Sequence, residues 1–460
     1  IELRELLAAW YGPANSPGKP ALRTTLARRP RTLAAVRHTN ARLSPTPEWA
    51  VQSFTFANSI GTALVTNGVY FITDTGLNFS RTANFWLAAM IGATYIVGAG
   101  FTPKLARALR ARGLSSRGLL VLVMVLLGSL CTLPLIASRL GHGAETRSAL
   151  GLAILWFTVL GYNTLTGVLW PTVESYVSGG RSGDTLRTVM GRWNVCWSAA
   201  AVPANLALAP LVEKHPNEAI AIMAVVHACA LLLLPRFTTE PVPHVESREP
   251  HPAVYERLLL AFRLLMPMGY MVLTTLTPML SVMFREQGVS ASWGPILGLA
   301  WVLPRIATFA LLAVWGGWHG RWWAAVVGGL MIVSGFGVAV LAPLAGTPSI
   351  SLPLLVAGLA VFGSGMGLVY SGAIYYAMEV HASDVEGGGI HETLVGIGYT
   401  LGPTAGLVAT WASLGSWHGR DAESSFGPIL FTLVGVAAVL FTLWVVRRVT
   451  HMAKDHPQRH

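Results

Sequence analysis

Arg305 stands directly after Pro304 in the middle of an apolar run long enough to cross a bilayer. A charge at that depth costs about 2.5–3.5 kcal/mol on insertion scales, so it is expected to face a cavity or a partner. Its chemistry would be capture of an anionic group or a coupling carboxylate; the plainer alternative is a structural ion pair. Glu174 lies within one turn of the end of another apolar run, and His391-Glu392 opens a third. Glu174 reads as a gate or proton-linked carboxylate, or as a helix-end salt bridge with Arg181 or Arg187. Glu392 gains from free N–H groups at a helix N-terminus, so capping competes with a gate role there. His227, mid-run, reads as a hydrogen-bonded packing histidine.

Four apolar runs also carry polar residues at steps of three and four, which is one helix face. The first has Gln52, Thr55, Ser59, Thr62 and Thr66; the fourth has Asn163, Thr166, Trp170 and Glu174. The seventh has Tyr270, Thr274, Thr277 and Ser281; the tenth has Ser364, Ser371 and Tyr375. Such stripes line cavities, and they also let membrane helices pack closely. Gln52, Ser59, Asn163, Thr166, Tyr270, Thr274, Ser371 and Tyr375, with Arg305, are the expected cavity residues.

The elements that must position them are twelve membrane-length helices, expected near 50–73, 83–104, 117–138, 149–176, 189–211, 217–235, 259–284, 293–315, 322–343, 351–378, 390–413 and 426–448. A bilayer core needs about 20 apolar residues of helix. The composition agrees: 53% hydrophobic, 12% charged, mean hydropathy +0.54, against about 25% charged in soluble chains. The fold class is therefore all-α membrane. Cys131, Cys196 and Cys229 all fall in apolar helix and suggest neither a disulfide framework nor a metal site.

An even span count puts both termini on one side. Of 32 Lys and Arg, 25 fall on that side and six on the other, with Arg305 inside a span. Basic residues mark the cytoplasmic loops, so both ends are expected in the cytoplasm and the membrane to be the bacterial inner (plasma) membrane. The net charge of +11 then needs no nucleic acid; anionic lipid head groups suit that basic face. Residues 1–48 read as a basic, disordered cytoplasmic arm and 450–460 as a cytoplasmic tail. The first methionine is Met90, from which further residues upstream of Ile1 are expected. Trp315, Trp318, Trp322 and Trp323 read as an interfacial belt.

Residues 237–256, rich in proline and glutamate, form an expected cytoplasmic linker between six spans (49–236) and six more (257–449). The halves echo each other about 200–205 residues apart. Trp170-Pro171-Thr172-Val173-Glu174 precedes Leu186-Arg187-x3-Gly191, as Tyr375-Tyr376 and Gly387-Gly388-Gly389 precede His391-Glu392-x3-Gly396. The triple glycine reads as a loose linker or a hinge. A parallel repeat of this kind marks a transporter whose site lies between the halves.

On these features the chain resembles the major facilitator superfamily over residues 49–449. The loop after the second span, Gly100-Phe101-Thr102-Pro103-Lys104-Leu105-Ala106-Arg107, keeps the family's basic residues and lacks its carboxylate. Gly398-x3-Gly402-Pro403-x2-Gly406 looks like the family's glycine-proline kink motif. The resemblance implies two pseudo-symmetric six-helix bundles and a cavity lined by spans 1, 4, 7 and 10. It also implies a gate where Glu392 meets Lys104 or Arg107 while Glu174 holds Arg187 or Arg181. The function it implies is secondary active transport of a small solute by alternating access, coupled to protons or another ion, with no cofactor and no metal. Two alternatives are a polytopic membrane enzyme and a transporter-like sensor. The loops opposite the termini are short and hold no convincing catalytic set, and no nucleotide-cradling motif appears.

Overall fold

The computed structural model describes residues 44–140, 148–181, 183–243, 252–380, 385–415 and 422–455. Most of the arm, the centre of the linker and the end of the tail lie outside the described residues. Among the described residues the chain is helical throughout, in twelve successive units. Unit α1 runs Glu48–Thr62 and continues through π-helical stretches at Ala63–Gly68 and Ile72–Gly76. Then come α2 (Arg81–Ala111), α3 (Ser116–Leu140), α4 (Ala149–Ser178) and α5 (Gly183–Ala199, resumed at Ala201–Leu208). The first half ends with α6 (Pro216–Leu231). The second half has α7 (Val254–Glu286), α8 (Gly294–Leu297 and Leu299–Val314) and α9 (Trp322–Leu341). It closes with α10 (Pro348–Val380), α11 (Val385–Gly415) and α12 (Ala422–Asp455).

By length and composition, nine of these helices can cross a membrane among the described residues. Units α1, α5 and α11 fall outside that set; α1 and α5 are each broken into shorter segments. The outer surface is apolar: Val225 of α6, Leu330 of α9 and Leu440 of α12 are all exposed. Such a surface suits contact with the acyl chains of a bilayer. Helix α7 is the most enclosed, with nearly its whole inner length buried.

Close packing of α11 against both halves depends on glycine. Helix α11 runs beside α2 and α7. A Cβ on Gly402 would fall 2.2 Å from the Met271 carbonyl oxygen, and one on Gly398 would fall 2.6 Å from that of Pro267. The glycine-proline motif is therefore a contact stripe against α7. The triple glycine is helical: Gly389 meets Ala99 and Pro103 of α2, and Gly388 meets Pro171 of α4. Gly402→Ala is expected to destabilise the fold by about 1–3 kcal/mol, because backbone must move to admit the methyl. Thermal unfolding in detergent checks this; an unchanged midpoint contradicts the packing.

His227 ties α6 to α4 and α1, with Nε2 3.1 Å from Tyr162 Oη and Nδ1 3.1 Å from Asn58 Oδ1. Of the four tryptophans assigned to an interfacial belt, Trp318 departs: it is buried, donates to the Leu312 carbonyl and packs edge-on against Tyr375 and Tyr376. Trp315 and Trp323 pack together at the surface, 5.8 Å apart.

Candidate functional site

The helices surround a cavity lined by residues of both halves. The π-helical stretch of α1 turns Ala63 and Asn67 onto its wall, and Phe71 follows just beyond it. Extra residues in a helical turn re-aim side chains, and such turns recur at functional sites. Helix α5 supplies Trp193, Trp197 and Asn205; α7 supplies Tyr270 and Thr277; α8 supplies Trp301 and Arg305; α11 supplies Glu392 and Tyr399. Ser59 Oγ and Thr277 Oγ1, both buried on this wall, have no hydrogen-bond partner.

Arg305 is 5% exposed. Its guanidinium carbon sits 4.6 Å from the Trp197 ring centre and 4.4 Å from that of Trp301, so two indoles flank it. Its Nε donates to Ser198 Oγ at 2.9 Å. Among the described residues no carboxylate oxygen comes within 4.0 Å of its nitrogens. Pro304 removes one backbone donor from this stretch of α8. Three contacts between two indoles and a hydroxyl hold the charge in place without neutralising it.

The second feature lies toward the end of the molecule that carries the basic loops. Glu174 of α4 and His391 and Glu392 of α11 are all buried, and one donor atom from each lies within 4.8 Å of the others. At that spacing one small cation, a proton included, could be shared. Glu392 Oε2 accepts the Tyr95 hydroxyl of α2 at 2.5 Å. Glu174 Oε1 and both ring nitrogens of His391 have no hydrogen-bond partner. Tyr270 of α7, Tyr370 of α10 and Tyr399 of α11 surround the carboxylates, and Arg263 of α7 stands near His391. Helices α2, α4, α7, α10 and α11, from both halves, thus converge on one pair of acids.

Contacts between the halves lie on either side of the cavity. Toward the basic end, α4 meets α11 at Pro171 and Gly388, and α5 meets α8 at Gly191 and Ala313. At the far end Asp74 of α1 accepts from Arg285 of α7 at 2.5 Å, and Arg81 of α2 pairs with Glu286 at 3.6 Å.

Several expected site residues are placed elsewhere. Ser59, Tyr270 and Arg305 are on the cavity wall. Asn163 accepts from Thr66 and donates to the Val159 carbonyl, and Thr166 donates to the Asn163 carbonyl. Thr274 donates to the carbonyls of Tyr270 and Gly398. Gln52 reaches the Val189 carbonyl of α5. Ser371 is buried off the cavity wall. Tyr375 stacks on His319 at 4.4 Å near the α8–α9 turn. These hydroxyls and amides serve helix packing because a carbonyl one turn back is the nearest acceptor.

The expected gate pairs also change. Glu392 does not go to Lys104 or Arg107, which are exposed; it turns inward to Tyr95 and Glu174. Arg181 donates to the carbonyls of Tyr176, Val177 and Thr46 and leaves Glu174 to its acidic neighbour. Arg187 points its Nη1 toward the turn at Gly316. Sequence reasoning passed over Trp197, Trp301, Tyr95 and Tyr399. Two signals were present: Trp301 precedes Arg305 by four residues, and Tyr399 follows Glu392 by seven, each on a shared helix face.

No protein-family model matches the sequence, and no curated protein matches it. Solved structures do match. The nucleoside transporter NupG aligns with TM-score 0.59 at 10% identity, over 87% of this chain and 99% of that one. The human organic anion transporter MFSD10 aligns at 0.57 and 15% identity, over 86% and 99%. The E. coli fucose:proton symporter FucP aligns at 0.52 and 13%, over 86% and 98%.

Proposed function

We propose that this chain, which has the major facilitator superfamily fold, is a secondary active transporter that moves a small solute by alternating access. The observation that carries the reading is a buried cavity shared by both halves, with contacts between the halves on either side of it. If one set of contacts breaks while the other holds, the cavity faces one side at a time. Arg305 supplies the charge that fixes the solute. The proteins of known structure with this fold named above are transporters, one of them a proton symporter, which favours transport over catalysis.

The coupling ion in this reading is a proton held between Glu174 and Glu392. Two like charges at that spacing in a buried site repel, and one shared proton removes the repulsion. With the proton bound, α4 and α11 stay together; without it, repulsion opens the basic end. The 25-to-6 distribution of Lys and Arg supports a cytoplasmic placement of that end, in a plasma membrane whose anionic lipids contact it. Uptake of a solute panel into proteoliposomes with an imposed pH gradient tests the function; no solute moving under any gradient would reject it.

The orientation has its own check. A cysteine introduced in the linker at 240–250 is expected to react with an impermeant reagent only from the cytoplasmic side. Reaction from the outside alone would invert the topology.

A further inference from the structure

We propose that the cavity takes a monocarboxylate built on an aromatic ring. This deepens the transporter reading, but its chemistry rests on the cavity. The Arg305 guanidinium is packed against the rings of Trp197 and Trp301, and its Nε is committed to Ser198. What remains is the outer edge formed by the two terminal nitrogens, whose hydrogens lie in the plane of the group. A carboxylate is planar and meets such an edge with two parallel hydrogen bonds. A neutral carbonyl offers one acceptor and leaves the charge uncompensated. With no carboxylate of the described residues in reach, a cation this deep calls for an anion from outside the chain.

The walls specify the rest of the solute. Trp197 lies 5.1 Å from Tyr370, Tyr270 lies 5.3 Å from Tyr399, and Tyr95 lies 5.4 Å from Tyr399, ring centre to ring centre. These tilted and edge-on pairs form a lattice that a further ring extends favourably. The unpartnered hydroxyls of Ser59 and Thr277 leave room for one polar substituent. Glu392, the other charged group on the wall, would repel a second anionic group, so the solute carries a single negative charge.

Quenching of tryptophan fluorescence in the purified full chain tests this, because two indoles flank the site. The probes are phenylacetate, its neutral amide phenylacetamide, and the saturated acid cyclohexylacetate. Phenylacetate is expected to quench saturably. The amide should bind at least about tenfold more weakly for want of its charge, and the saturated acid severalfold more weakly for want of its ring. Arg305→Lys keeps the charge and the fold but loses the in-plane edge, and should weaken phenylacetate about tenfold. Equal binding of acid and amide, an unchanged Arg305→Lys, or no saturation up to about 10 mM would overturn the proposal. Phenylacetate that binds yet crosses no liposome would sink the transporter reading and leave this one standing. Transport of a neutral solute without phenylacetate binding would do the reverse.

Discussion

Arg305→Ala is expected to lower solute uptake by at least about 30-fold while leaving membrane insertion unchanged. Truncating one partner of a buried, charge-assisted contact costs about 2 kcal/mol or more, which is that factor in affinity. The loss should appear in binding first, since the guanidinium edge is the part of Arg305 left free by Trp197, Trp301 and Ser198. The fold should tolerate the change, because among the described residues no ion pair of Arg305 is broken and alanine removes a buried charge. A wild-type uptake rate in the variant would reject Arg305 as the solute's anchor.

Glu392→Gln is expected to abolish the response to a pH gradient. A one-unit gradient is worth about 1.4 kcal/mol, so a carrier that moves one proton per solute accumulates about tenfold under it. A glutamine beside Glu174 cannot take up and release that proton, and accumulation should fall to about onefold in the variant. The same substitution should hold α4 and α11 together, because the like charges that drive them apart are gone. That sign is opposite to the one a pair between Glu392 and Lys104 or Arg107 would give. Uptake followed across imposed gradients in liposomes decides it; an undiminished gradient response would remove the pair from the coupling path.

The helices were legible because hydrophobic length alone marks a membrane span, and Arg305 was legible because a charge stands out against apolar neighbours. The repeat placed Arg187 and Glu392 at equivalent points along their helices, but a repeat does not give the direction in which a side chain points. Glu392 faces Tyr95 and Glu174, where exposed lysine and arginine on α2 had been expected. The polar stripes were legible only in part: Ser59, Thr62, Trp170, Tyr270 and Thr277 line the cavity, while Thr166, Thr274 and Asn163 bond to carbonyls of their own helices. Trp301 carries no signal of its own in an apolar helix; only its place four residues before Arg305, on the same helix face, marks it.

The central claim is that the two ends of the molecule open in opposition around one cavity. Spin-label pairs across each end measure this directly, at Asn78 with Ser290 for the far end and Arg112 with Arg321 for the basic end, all exposed positions. Lowering the pH should shorten the basic-end distance and lengthen the far-end distance, and raising it should reverse both. Distances that stay fixed, or that lengthen together at both ends, would contradict alternating access.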